Sequence, residues 1–234
     1  MTSWQVPLFI PDFTNEDIQR ACAPIQEGWL TMGERTQAFE QAFAQKLGID
    51  HAFAVTNGTA ALHLALICAG VQPQDEVLVP SLTFVACANT IVSLGATPVF
   101  VDCISEKDWT FSPDDFQKKI TKRSKSIMVV HYAGFPCRME EIVPLAKQHG
   151  LTIVEDCAHA IVSSRNHQMC GTFGDAGTFS FFSNKNMTTG EGGMVVTRHA
   201  DYAERLRKIR SHGMTTLTLD RHQGRAISYD VMEV

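Results

Sequence analysis

Residues 51–70, HAFAVTNGTAALHLALICAG, and the run EVLVP at 76–80 decide the fold. HAFAV is a short apolar run of strand length, and the Thr-Asn-Gly-Thr turn after it is a break in chain direction. TAALHLALICAG reads as a helix. EVLVP is again a strand. The same beat continues outward. FVACANTIVSLG (84–95) reads as a helix, TPVFVD (97–102) as a strand, SPDDFQKKI (112–120) as a helix and SIMVVHY (126–132) as a strand. MEEIVPLAKQHG (139–150) is a helix and LTIVED (151–156) a strand. Continuous Val/Ile/Leu runs between helices mean strands buried on both faces. The expected class is therefore α/β, with a mostly parallel sheet flanked by helices.

Upstream, residues 14–47 read as two helices separated by GWLTMGERT, with Thr14 capping the first and Gly48 ending the second. Downstream of Asp156, AGTFSFF (176–182) and GMVVTR (193–198) read as two strands joined by a loop that carries Lys185. The helix ADYAERLRKIRSHG (200–213) follows. The tail HQGRAISYDVMEV (222–234) is polar and irregular, either a disordered end or a sign that the chain is shorter than its fold. The expected organisation is an N-terminal helical segment, 1–50, and a large α/β domain, 51–234.

Composition narrows the function. In 234 residues, 44% hydrophobic and 19% charged is globular composition, not disorder. A formal charge of −5 with no basic stripe argues against a nucleic-acid partner. Seven scattered cysteines, with no CxxC pair and no Cys/His set at zinc spacing, point to reduced thiols and no metal. The N-terminus lacks the basic and apolar regions of a signal peptide, and no run approaches the ~18 apolar residues of a spanning helix. The expectation is a cytoplasmic protein that does not engage a membrane.

Open α/β sheets bind ligands beyond the carboxyl ends of their strands. There, Gly58 and Thr59 open a helix whose free N–H groups suit an anion, although ordinary sheet wiring gives the same turn. The stretch is neither GxxxxGK[ST] nor GxGxxG. Asp156 ends a strand, where it either caps the next helix or keeps a cationic nitrogen protonated. His159 is placed to stack on, or hydrogen-bond to, the same ligand. Phe84 either packs in the core or stacks on a flat ring. Lys185 is either a surface lysine or an amine whose poorly solvated site lowers its pKa and lets it attack a carbonyl, forming a Schiff base. Ser180 adds a hydroxyl. An anion holder (Gly58, Thr59, Ser180), a ring stacker, a carboxylate and an amine together make the set that pyridoxal 5'-phosphate requires.

The motifs VTNGTAALHLAL, VPSLTFVACANTI, VEDCAHA, GTFGDAGTFSFF and KNMTTGEGGMVVT, in this order, resemble the DegT/DnrJ/EryC1/StrS aminotransferases. These are fold-type-I pyridoxal-phosphate enzymes that aminate nucleotide-linked keto-sugars for polysaccharide or aminosugar biosynthesis. The resemblance implies that Lys185 is the Schiff-base lysine and Asp156 the partner of the pyridine nitrogen. It places His159 near the ring, Phe84 stacked on it, and Thr59, Ala60 and Ser180 at the phosphate. It puts WLTMG (29–33, with Thr31 and Gly33) and TTGEGG (188–193, with Glu191) on the substrate side. It further implies a homodimer, Glu or Gln as amino donor, and a small C-terminal domain after an NYR-type motif, before which this sequence ends. Two alternatives stay open: a different pyridoxal-phosphate reaction (lyase, desulfurase or sugar dehydratase), and a non-catalytic remnant or regulatory module. Related dehydratases carry His in place of the lysine, and no cysteine is clearly placed for a desulfurase.

Overall fold

A computed structural model describes residues 6, 7, 9–216, 220, 223 and 224. Apart from Gln223 and Gly224, the tail 222–234 lies outside the described residues. The helices are α1 (Asn15–Glu27), α2 (Glu34–Leu47), α3 (Gly58–Cys68), α4 (Val85–Ser93), α5 (Pro113–Lys119), α6 (Met139–Gln148) and α7 (Ala200–Ile209). The strands are β1 (His51–Val55), β2 (Glu76–Pro80), β3 (Thr97–Val101), β4 (Cys103–Ser105), β5 (Asp108–Phe111), β6 (Ser124–Val130), β7 (Thr152–Asp156), β8 (Ser164–Arg165), β9 (Gln168–Met169), β10 (Ala176–Ser180) and β11 (Gly193–Thr197).

Among the described residues, seven strands form one sheet in the order β1-β11-β10-β7-β6-β2-β3. β10, β7, β6, β2 and β3 run parallel, and β11 runs antiparallel to both neighbours, β10 and β1. Both faces are covered, which is why the strands read as unbroken apolar runs. On β6, Met128 and Val130 pack with Leu62, Leu66 and Ile91 of α3 and α4, while Ile127 and Val129 pack with Phe116, Met139 and Ile142 of α5 and α6. The mostly parallel sheet matches the sequence expectation. The short hairpins β4–β5 and β8–β9 have no counterpart in that expectation, because two- to four-residue strands carry too little periodicity to be read.

Local chemistry explains the boundaries. Thr14 and Asp17 form a reciprocal capping box at the start of α1, and Gly48 takes a left-handed conformation (φ 65°) after α2. The strand expected through Tyr132 stops at Val130, since residues 132–134 form a 3-10 turn with Ala133 at φ 52°. α7 stops at Ile209 rather than 213, where the Gly213 N–H bonds back to the Lys208 carbonyl past a left-handed His212 (φ 63°). The helical segment is locked to the sheet through α2. Buried Glu40 accepts the Ala54 N–H (2.8 Å) and pairs with Arg210, whose guanidinium lies 5.2 Å from the Phe53 ring. β1 is thereby held from both sides just before the turn that opens α3. No helix among the described residues is long and apolar enough to cross a membrane.

Candidate active site

The strands that run with β1 deliver their carboxyl ends to one edge of the sheet, and a cavity of about 510 Å³ opens there. It draws on the segments after five strands: Gly58 and Thr59 after β1, Phe84 after β2, Tyr132 after β6, His159 after β7, and Lys185 after β10. Eight of the sequence-derived positions line it: Gly58, Thr59, Phe84, Asp156, His159, Ser180, Lys185 and Glu191.

At one end stands the N-terminus of α3. Asn57 caps it, its Oδ1 accepting the Ala60 N–H at 2.8 Å. Ala60 does not line the cavity, and its N–H is committed to the cap. The groups presented by the first helical positions are those of Gly58 and Thr59. Gly58 is required by proximity: a Cβ there would lie 2.9 Å from the Ser180 Cβ. Gly193 serves the same turn from the other side, since a Cβ at that position would fall 2.4 Å from the Asn57 carbonyl oxygen. These two glycines let β1, β10 and β11 close around the turn and bring the Ser180 hydroxyl beside it.

The floor is Asp156, a carboxylate 6% exposed. Its Oδ1 accepts the Ala158 N–H (2.9 Å) and its Oδ2 the Cys87 thiol (3.1 Å). No α-helix follows it directly, so capping a helix is not its role. Both donors are neutral, and none of the ion pairs among the described residues includes Asp156. A buried carboxylate is expected to find a cation. Here the cavity is where one would sit.

Lys185 lies in the loop five residues beyond β10, half-buried, its N–H bonded to the Phe182 carbonyl at 3.0 Å. Burial lowers its pKa below the usual lysine value, and the charge of Asp156 opposes that shift only in part. His159 is held with Nδ1 accepting the Ala133 N–H (3.3 Å) and its ring edge-on to Tyr132 at 5.8 Å. Burial and then the positive charge of Lys185 lower its pKa, against Asp156. Phe84, the N-cap of α4, is 68% exposed and faces the cavity rather than the core.

Behind the floor, fully buried Glu155 gathers the N–H groups of Gly171 (2.8 Å), Phe173 (2.7 Å) and Gly174 (2.7 Å) and the Nε2 of His131 (2.9 Å). His131 Nδ1 accepts the Cys137 N–H at 3.1 Å, so Nε2 carries the ring proton toward Glu155. The fold thus unites His131, Glu155 and Cys157, a set with donor atoms within 4.8 Å of one another that sequence spacing did not reveal. Both Glu155 oxygens are already occupied by the loop and the histidine, which makes the group a structural clamp. Tyr132, Asn57, Thr83 and Asn184 also escaped the sequence reading; Asn57 alone had a signal, as a cap residue before a helix. Thr31 is exposed and Gly33 caps α2, and neither lines the cavity.

The DegT/DnrJ/EryC1/StrS aminotransferase family model matches residues 11–231. The chain is 44% identical over 210 residues to the GDP-perosamine synthase of Escherichia coli O157:H7, covering 89% of this chain and 57% of that protein. Among solved structures, the aminotransferase TlmJ of Streptoalloteichus hindustanus superposes with a TM-score of 0.89 at 34% identity, covering 97% of this chain and 60% of that one. An E. coli GDP-4-keto-6-deoxy-D-mannose-3-dehydratase with bound hydrated PLP gives 0.84 at 26% identity, covering 89% and 55%. The chain spans 50–58% of the length of the curated relatives it matches. With the match running through the cap of α3, the floor carboxylate and the lysine loop alike, this chain belongs to the DegT/DnrJ/EryC1/StrS aminotransferase family.

Proposed function

We propose that the protein is a pyridoxal-phosphate-dependent aminotransferase that moves nitrogen from an amino acid, Glu or Gln, to the keto carbon of a nucleotide-linked deoxy-sugar. The observation that carries this reading is a buried carboxylate that enters no ion pair among the described residues, sharing a cavity with a half-buried lysine and a helix N-terminus. The residues fit the cofactor. Gly58 and Thr59 N–H groups with the Ser180 hydroxyl suit its phosphate, Phe84 its ring face, Asp156 its ring nitrogen and Lys185 its aldehyde. When bound, pyridoxal phosphate supplies a sink for the electrons left as the amino acid Cα–H bond breaks.

The chain's own groups do the rest. Asp156 holds a proton on the nitrogen facing it, because a buried anion stabilises a neighbouring cation. Lys185, with its lowered pKa, is the base that takes the Cα proton of the donor and returns one later in the exchange. His159, kept toward its neutral form, adds no second positive charge beside the lysine. The GDP-linked product named for the E. coli relative supports a nucleotide-sugar acceptor. We assign a homodimer to the protein, supported by apolar side chains left exposed along α4 (Val85, Val92). The seven cysteines, all free thiols, support a cytoplasmic location. Residues 1–50 act as the arm that braces β1, and 51–234 as the cofactor domain.

The test is cofactor attachment. The chain is incubated with pyridoxal phosphate, reduced with borohydride and digested, and the added mass is mapped. Attachment at Lys185, lost in Lys185→Ala, is expected; attachment elsewhere, or unchanged uptake by the variant, overturns the proposal.

A further inference from the structure

Cys87 sits one helical turn into α4, fully buried, with Sγ 3.1 Å from Asp156 Oδ2. The Thr83 hydroxyl donates to the same sulfur at 3.0 Å. That donation occupies the sulfur as an acceptor and leaves its single proton for the carboxylate. Asp156 then has one donor on each oxygen, Ala158 N–H on Oδ1 and Cys87 S–H on Oδ2. A carboxylate held at one oxygen can still rotate about its last torsion, whereas held at both it presents one plane to the cavity.

We propose that Cys87 is a positioning residue for the cofactor: its thiol, set by Thr83, fixes the plane in which Asp156 meets the ring nitrogen. The inference rests on the function proposed above. Phe84 and Cys87 are also the N-cap and third residues of one helical turn, and the Cys87 N–H bonds to the Phe84 carbonyl at 3.1 Å. The ring-stacking side chain and the support of the ring-nitrogen partner therefore move as one piece of α4. Burial, reinforced by the Asp156 charge, pushes the Cys87 thiol well above its ordinary range, so it remains a donor across the working pH. A thiolate at this place would repel Asp156 instead of orienting it. This buried sulfur is a structural donor, unlike the exposed, acidified thiols that act as nucleophiles.

Two measurements on the full 234-residue chain test the proposal. The first needs no cofactor. The infrared S–H stretch of Cys87, identified by its loss in Cys87→Ser, should lie at a hydrogen-bonded position and move to a free-thiol position in Asp156→Ala. A band unmoved by Asp156→Ala overturns the contact. The second titrates pyridoxal phosphate by visible absorption. Cys87→Ala should bind it about three- to tenfold more weakly, the range for one ordinary hydrogen bond, since a thiol is a weak donor. The pH midpoint of the bound cofactor's visible band should also shift in Cys87→Ala, and Cys87→Ser, which keeps a donor, should restore it. A purely structural role would lower the melting temperature of Cys87→Ala without moving that midpoint, which overturns the inference. If Asp156→Asn also binds and titrates like the unsubstituted chain, the reading of the site falls and the inference with it. A defective Asp156→Asn beside an unaltered Cys87→Ala removes the inference alone.

Discussion

Replacing Glu155 by Gln should destabilise the chain by about 3–5 kcal/mol, although it changes one atom. The reason is geometric. Four donors converge on this fully buried carboxylate, two on each oxygen: Gly171 N–H and His131 Nε2 on Oε2, Phe173 N–H and Gly174 N–H on Oε1. An amide has one acceptor oxygen, so either orientation of Gln turns an NH2 group toward two donors and leaves both unsatisfied. Each buried orphan costs about 1–3 kcal/mol, and the two bonds that remain lose their charge assistance. His131 cannot relieve the conflict by moving its proton, because Nδ1 would then face the Cys137 N–H that it now accepts at 3.1 Å. Guanidinium unfolding followed by circular dichroism reads the effect as a lower midpoint at unchanged slope. Because Glu155 precedes Asp156 on β7, cofactor affinity should fall as well. A loss below about 1 kcal/mol would refute the reasoning, since it would mean that the four bonds are not made together.

Two more perturbations probe the same geometry. Gly193→Ala should cost about 1–3 kcal/mol and weaken cofactor binding, because its Cβ would fall 2.4 Å from the Asn57 carbonyl and push the α3 turn away from β11; unaltered cofactor titration would refute this. His159 has a folded-state pKa below its ordinary 6.5, so the unfolded chain binds the extra proton and stability falls as pH drops below about 6.5. Urea midpoints of the chain and of His159→Asn should therefore diverge between pH 7.5 and more acidic buffers, and parallel curves would refute the shift.

The sequence determined the fold class through one physical fact. A strand buried on both faces favours runs of apolar residues, and Val77–Val79 of β2, Ile127–Val130 of β6 and Ile153–Val154 of β7 are such runs, with Gly58 and Gly48 marking turns only certain residues can make. The order of Gly58, Phe84, Asp156 and Lys185 relative to those strands was also legible, because parallel wiring sends every carboxyl end to the same edge. What the sequence left open was what each side chain touches. Phe84 read as core or as stacker, and it stands exposed at the cavity; Ala60 read as part of the phosphate-side turn, and its N–H bonds to the Asn57 side chain. Cys87 and Asp156 stand 69 residues apart, and Glu155 reaches a loop 16–19 residues ahead. Contacts of that kind leave no periodicity in the chain. They arise only when the sheet has closed and burial obliges each polar group to find a partner.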